Sequence, residues 1–244
     1  MNYEEYCKSQ DFYEIFPSIN GSLFSDLDDI AMKHPIVLHE IQQMSFKSMS
    51  KLNTVVTRGV DILLSTFGLF ISIIPFLLIS IAIKIDSPGP VFFRQKRVGK
   101  RGEIFQILKF RTMCVDAERG TGPIWATTDD PRRTVVGTFL RRMRLDELPN
   151  LLNILKGEMT FIGPRPERPE FVYQFVKSMP AFDRRHEAKP GLTGLAQLKN
   201  GYDDSAQSVY RKLRWDAYYL RKKCFLFDLS LLYRTVFAVL RGEV

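Results

Sequence analysis

"ILLSTFGLFISIIPFLLISIAI", residues 62–83, contains no charged side chain in 22 positions. As an α-helix it would measure about 33 Å, enough to cross a hydrocarbon core of about 30 Å. A crossing helix keeps its basic flank on one side. Here Lys47, Lys51 and Arg58 precede the run, and Lys84, Arg94, Lys96 and Arg97 follow it, so both ends read as cytoplasmic. Pro75 removes a backbone donor and its ring collides with the preceding turn, which bends a helix at that point. Ser72 is placed to help satisfy the freed carbonyls. A bent helix over about 58–85, entering and leaving through one face, accounts for all of these features. A straight span and a buried core helix are the alternatives.

The rest of the chain surrounds that run with charge. Across 244 residues, 35 Lys and Arg against 27 Asp and Glu give a net charge of +8, which favours anionic partners such as a phosphorylated substrate, a lipid surface or nucleic acid. The balance is uneven. Residues 1–46 carry eight acids and two lysines, whereas residues 84–144 carry fourteen bases and six acids. Cys7, Cys114 and Cys224 are too few and too scattered for a disulfide framework or a cysteine metal site. The acidic N-terminus lacks the basic start of a cleaved export signal, so none is expected. Residues 1–46 contain a short helix ending near "VLHEIQQM", and "SFKSMSKLN" reads as a polar linker. The division expected is 1–52, an acidic extension with linker, and 53–244, the main domain.

Three stretches of the main domain carry chemistry. "VFFRQKRVGKRGEIFQILKFRTM", 91–113, predicts a β-hairpin, two strand-like runs flanking Gly99 to Gly102. Lys109 and Arg111, two apart, share a strand face and make a diphosphate clamp or simply a solvated edge. "TTDDPRRTVVGTFLRRMRLDELPNLLNILKGEM", 127–159, predicts a helix with Asp130 as N-cap and Pro131 at its first position. Its apolar face is Val135, Val136, Phe139, Leu140 and Met143. Pro149 then breaks the helix and starts another, which Gly157 ends. Asp146 and Glu147 therefore stand at a helix junction, under Arg141, Arg142 and Arg144. A helix C-terminus is a poor place for two acids unless cations or a metal compensate, and local inconsistency of this kind marks functional sites. In "FIGPRPERPEF", 161–171, Pro164 and Pro166 stiffen the loop that presents Arg165. The terminal "RWDAYYLRKKCFLFDLSLLYRTVFAVLRG" is helical with mixed aromatics and bases, fit either for a membrane surface or for the core.

In order, spacing and wording, "FFRQKRVGKRGEIFQILKFRTM", "RLDELPNLLNILKGEMTFIGPRPERPEF", "KPGLTGLAQ" and "WDAYYL" resemble the bacterial sugar transferase family. These are monotopic phosphoglycosyl transferases, and the resemblance runs from about Asn53 to the C-terminus. Leu195 stands where the family commonly has tryptophan. The resemblance implies an α+β, helix-rich monotopic membrane domain. Its parts would be a re-entrant N-terminal helix broken at Pro75, a small β-hairpin and amphipathic interfacial helices. It implies transfer of a sugar-1-phosphate from a UDP-sugar to polyprenyl phosphate at the cytoplasmic face of the bacterial inner membrane. Asp146 would attack the β-phosphate and displace UMP, and Glu147 would bind Mg²⁺. Arg144, Arg165, Lys109 and Arg111 would hold phosphate oxygens, with Asp216 in support.

A membrane-tethered module that only binds anions, nucleic acid among them, would have no use for acids inside an arginine cluster, so no nucleic-acid partner is expected. A glycosyl transferase releasing UDP is the enzymatic alternative. The identity of the sugar and any homo-oligomerisation are left open by these motifs.

Overall fold

The structure, a computed structural model, describes residues 2, 3, 5, 21–46, 49–119, 130–200 and 205–242. Two helices, α1 (Gly21–Lys33) and α2 (Pro35–Gln43), lead into a longer pair, α3 (Lys51–Ile71) and α4 (Ile73–Asp86). The apolar run divides between α3 and α4 at Ser72. The physical reason lies three residues on: Pro75 has no N–H to offer the carbonyl of Ile71, so the helical ladder fails there. The Ser72 hydroxyl forms no capping bond to α4; instead the backbone spans the break, Ser72 N–H bonding Gly68 O at 3.0 Å and Phe76 N–H bonding Ser72 O at 2.8 Å. By length and composition α3 is apolar enough to cross a membrane.

Both helices leave large apolar side chains exposed, among them Leu63, Phe67, Phe70, Ile74, Leu77 and Leu78. Apolar surface on this scale marks an interaction face rather than an ordinary soluble exterior. The polar residues at the ends of α3 and α4 instead tie the pair to the rest of the molecule.

The predicted hairpin is present. Strands β1 (Phe92–Val98) and β2 (Ile104–Phe110) pair antiparallel, with Phe92 opposite Phe110 and Val98 opposite Ile104. Helix α5 (Val135–Arg142) starts later than the sequence predicts. Its N-cap is Thr134, whose hydroxyl accepts from Gly137 N–H at 3.0 Å. Asp130 is not the cap because it is engaged by Arg132, at 2.8 Å from Nε and 2.5 Å from Nη2. Asp86, at the end of α4, accepts from Val136 N–H at 3.1 Å and ties α5 to the α3–α4 pair. Gly137 is needed where α5 crosses the strand end, since a Cβ there would run into the Thr112 carbonyl. The expected apolar face of α5 is divided: Leu140 is buried, whereas Val135, Phe139 and Met143 are exposed along one stripe.

Helix α6 (Asn150–Lys156) runs from Pro149 to Gly157, whose φ of 88° supplies the left-handed stop that glycine adopts without strain. A second, parallel pair, β3 (Thr160–Ile162) with β4 (Gly191–Thr193), was not expected from the sequence. The remaining helices are α7 (Pro169–Ser178), α8 (Leu195–Asn200), α9 (Ala206–Lys222) and α10 (Phe225–Arg241).

The two readings of the terminal helical stretch divide between its halves. α9 is a core helix, burying Val209, Tyr210, Leu213, Asp216 and Leu220. α10 leaves Leu226, Leu229, Tyr233, Val236 and Leu240 exposed at helical spacing. The main core lies on the far side of α9, where Leu27 and Ile30 of α1 and Leu38 and Ile41 of α2 pack with Phe171, Phe175 and Phe182. The acidic N-terminal helices are thus part of the packed body.

Candidate active site

The chain turns sharply where the acids stand. α5 ends at Arg142, Arg144 takes a left-handed conformation (φ 56°), and Leu145–Glu147 form one 3₁₀ turn before Pro149 starts α6. A left-handed arginine costs on the order of 1 kcal/mol or more, and such strain gathers at functional sites. Asn153 of α6 fixes the turn against the hairpin. Its carbonyl oxygen accepts from Leu108 N–H at 3.1 Å and its amide donates to Gln106 O at 2.7 Å. This places Lys109 beside the acid pair.

Two cations converge on one carboxylate oxygen. Lys109 Nζ donates to Glu147 Oε1 at 2.6 Å, and Arg165 Nη2 donates to the same atom at 2.8 Å. Burial alone would raise Glu147, but Arg165 and Lys109 together hold it far below the usual carboxylate range. Asp146, 7 % exposed, goes the other way. Burial raises it, the Lys109 charge opposes, and its acidic neighbour Glu147 raises it further. Adjacent carboxylates pushed in opposite directions divide into two roles. Glu147 is a fixed anion, and Asp146 is a poorly solvated carboxylate facing the cavity.

Arg165 is held by its backbone as well as its side chain. Its carbonyl accepts from Arg185 Nη2 at 2.9 Å, and the Pro166 carbonyl accepts from Arg97 at 3.1 Å. Arg185 is itself paired with Asp216 at 2.9 Å, both side chains nearly inaccessible. Glu167, between them, receives Lys212 at 2.6 Å and lies 3.7 Å from Arg185. Asp216, 2 % exposed, does not reach the acid pair; it holds the arginine that holds the Arg165 loop. Arg185, Glu167, Lys212 and Arg97 are site-supporting residues the sequence reading missed. Glu167 stood inside the quoted proline motif, but Arg185 and Lys212 lie in stretches without any local pattern.

Arg111 lines the same cavity as Lys109, but its guanidinium is engaged elsewhere. Its guanidinium bonds the carbonyls of Pro88, Ser87 (2.7 Å) and Ile83 (3.4 Å), so it caps the C-terminus of α4. Arg144 reaches the cavity wall. The cavity itself has a volume of about 680 Å³ and is bounded by Lys109, Arg141, Arg144, Arg165, Asp146 and Glu147 on one side, with Gln197 and Lys199 of α8 on another. Its size suits a ligand as large as a nucleotide sugar.

Residues 52–242 match the family described as bacterial sugar transferase. The chain belongs to that family. It is 38 % identical over 205 residues to the UDP-N-acetylgalactosamine-undecaprenyl-phosphate N-acetylgalactosaminephosphotransferase of Aeromonas hydrophila, covering 84 % of this chain and 48 % of the relative. It is 38 % identical over 191 residues to the UDP-glucose:undecaprenyl-phosphate glucose-1-phosphate transferase of Escherichia coli K12, covering 78 % and 41 %. A shorter relative, the exopolysaccharide production protein PSS of Rhizobium leguminosarum bv. phaseoli, is 36 % identical over 201 residues, covering 79 % of this chain and 99 % of its own. The chain thus spans less than half the length of the first two relatives.

No group of three His, Cys, Asp or Glu gathers to hold a metal among the described residues. The acid pair nevertheless fits a hard divalent cation. Both cationic contacts fall on Oε1 of Glu147, leaving Oε2 and the Asp146 carboxylate as oxygen donors. Mg²⁺ characteristically takes one or two carboxylates and completes its shell with substrate phosphates and water.

Proposed function

We propose that this chain transfers a sugar-1-phosphate from a UDP-sugar to polyprenyl phosphate at the cytoplasmic face of the bacterial inner membrane. In this reading it is an early membrane step of polysaccharide or glycoconjugate assembly. The observation that carries the reading is the split acid pair: a raised Asp146 and a depressed Glu147 side by side among Lys109 and Arg165. The names of the relatives support the substrates.

The reaction takes two displacements. A carboxylate oxygen of Asp146 attacks the β-phosphorus, and the bond to the bridging oxygen breaks, its electron pair leaving with UMP. An oxygen of polyprenyl phosphate then attacks the same phosphorus. The aspartyl–phosphorus bond breaks, and the Asp146 carboxylate is regenerated without net proton transfer. Dividing the transfer in this way is covalent catalysis by a carboxylate. Burial suits Asp146 to the task, because a poorly solvated anion is a stronger nucleophile. Lys109, Arg144 and Arg165 hold phosphate oxygens as charge shifts between them. Mg²⁺ held through Glu147 would neutralise the diphosphate and draw charge off the leaving group. Arg111 serves the same site indirectly, by fixing the end of α4 to the hairpin that carries Lys109. A screen of UDP-sugars with a polyprenyl phosphate acceptor tests this reading: UMP should appear, and UDP as the product would contradict it.

The bilayer arrangement is a re-entrant one. The apolar residues on either side of Ser72 make two lengths of about 15 Å, each reaching only about halfway into a 30 Å core. In a cysteine-free background, single cysteines at the exposed positions Val55 and Ile85 should both react from the cytoplasmic side. Reaction of either from the periplasm would contradict re-entry. Pro75→Ala restores the missing donor and should carry the Val55 label across.

Arg165→Lys keeps the charge and loses the forked guanidinium. Hydrogen bonds to charged groups contribute about 1.5–3 kcal/mol, so kcat/KM should drop roughly tenfold or more. Wild-type kinetics would count against a two-armed contact.

A further inference from the structure

Four cations collect outside the catalytic cavity, at the root of α3. Arg58 donates to the carbonyls of Ile154 (2.6 Å) and Leu155 (2.7 Å), at the C-terminus of α6. Lys189 comes to the same place. A Cβ at Gly157 would lie 3.4 Å from Arg58 Nη2 and 3.5 Å from Lys189 Nζ, so the two charges flank the same backbone position. Lys223, just before α10, lies 5.6 Å over the Tyr219 ring, whose hydroxyl donates to Ile162 O of β3, the strand paired with the β4 that follows Lys189; Lys100, at the hairpin turn, adds to the same positive field. Burial, and then the charge of Arg58, pushes the Lys189 ammonium down; burial also lowers Lys223, against the pull of Asp228.

Among the described residues none of the four forms a salt bridge, although twelve are formed elsewhere. The two nearby carboxylates are bonded to neutral donors. Asp61 accepts from Thr160 Oγ1 and Phe161 N–H, and Asp228 accepts from the Tyr219 hydroxyl. Four cations thus face two carboxylates, Asp61 and Asp228, and the positive charge left over is unfavourable unless a further anion joins it.

The surroundings indicate which anion. Arg58 lies on α3 between the exposed Val55 and the exposed Ile62 and Leu63, and Lys223 immediately precedes the exposed Leu226 and Leu229 of α10. α3 and α10 are in contact. The cations therefore stand where two unpartnered apolar faces begin, and a ligand that is anionic at one end and apolar at the other satisfies both.

We propose that Arg58, Lys100, Lys189 and Lys223 bind the phosphate headgroup of an anionic phospholipid at the foot of α3 and α10. Basic pockets beside membrane helices on the cytoplasmic side take such headgroups. The site rests on the bilayer reading above but is separate from the catalytic cavity, and it would fix the depth at which that cavity sits.

The test uses the whole chain reconstituted in phosphatidylcholine nanodiscs, with trace spin-labelled phosphatidylglycerol or spin-labelled phosphatidylcholine. The fraction of probe immobilised against the protein gives the selectivity. Wild type should prefer phosphatidylglycerol several-fold. Lys189→Gln with Lys223→Gln should bring that preference down to parity. The charge-matched pair Lys33→Gln with Lys177→Gln, both exposed, should retain it. Equal immobilisation of both probes by wild type, or a preference unchanged by the first pair, would overturn the site. Inorganic phosphate that abolished the preference, where chloride of equal ionic strength did not, would assign the cluster to a free anion instead. Failure of the chain to enter nanodiscs of either composition would overturn the bilayer reading and this site with it.

Discussion

Asp146→Ala is expected to lower kcat by on the order of 10³-fold or more, the loss typical when a nucleophile acting as part of a unit is removed. Asp146→Asn should fail comparably. It preserves shape and volume in a position only 7 % exposed but offers no carboxylate oxygen to attack phosphorus. That comparison separates chemistry from folding. If the pair merely balanced the surrounding arginines, Asp146→Asn would cost little activity, since Asp146 makes no direct ion pair within 4.0 Å among the described residues and the contacts fall on Glu147. Thermal unfolding of the Asn variant near wild type, together with lost turnover, is the expected combination.

Glu147→Gln carries the second large effect, on the order of 10²-fold in kcat/KM, with a higher Mg²⁺ requirement because a neutral amide is a poorer ligand for a hard cation. It should also move the pH profile in a defined direction. In the proposed mechanism Asp146 attacks only when ionised, and burial sets its pKa above the ordinary aspartate value, with Lys109 pulling down and Glu147 pushing up. Wild-type activity therefore rises with pH as Asp146 ionises, above the usual aspartate range. Removing the Glu147 charge withdraws the upward push, and the positive field of Lys109 and Arg165 is no longer neutralised by it. Both changes lower the Asp146 pKa, so the acid limb of kcat/KM should shift to lower pH in Glu147→Gln. Lys109→Met should shift it to higher pH. Movement of both limbs in the same direction would contradict this electrostatic account.

How much of this could be read from the chain depended on whether the cause was local. Pro75 and the charge-free run predicted a broken helix because the missing N–H acts within one turn, and the break falls at Ser72. Pro149 and Gly157 bounded α6 for the same reason, which placed Asp146 and Glu147 at a junction. The N-cap of α5 was misread because Asp130 and Thr134 are both good caps, and only the contact of Asp130 with Arg132 decides between them. Asp216 was chosen from the family resemblance, and the structure gives it a partner, Arg185, 31 residues away. Lys212 and Glu167 meet across 45 residues. Nothing in the local pattern of either segment encodes such pairings. The two basic residues on one strand face also parted for a tertiary reason. Lys109 meets Glu147, while Arg111, one residue beyond β2, turns to the end of α4.

The claim on which the mechanism rests is that the sugar phosphate passes through Asp146. Incubating the protein with a UDP-sugar and Mg²⁺ in the absence of polyprenyl phosphate, quenching, and mapping peptides by mass spectrometry measures this directly. A sugar-phosphate adduct on Asp146, formed together with one equivalent of UMP and discharged on adding acceptor, is the predicted result. An adduct on Glu147, or UMP released only once acceptor is present and with no modified peptide, would contradict it.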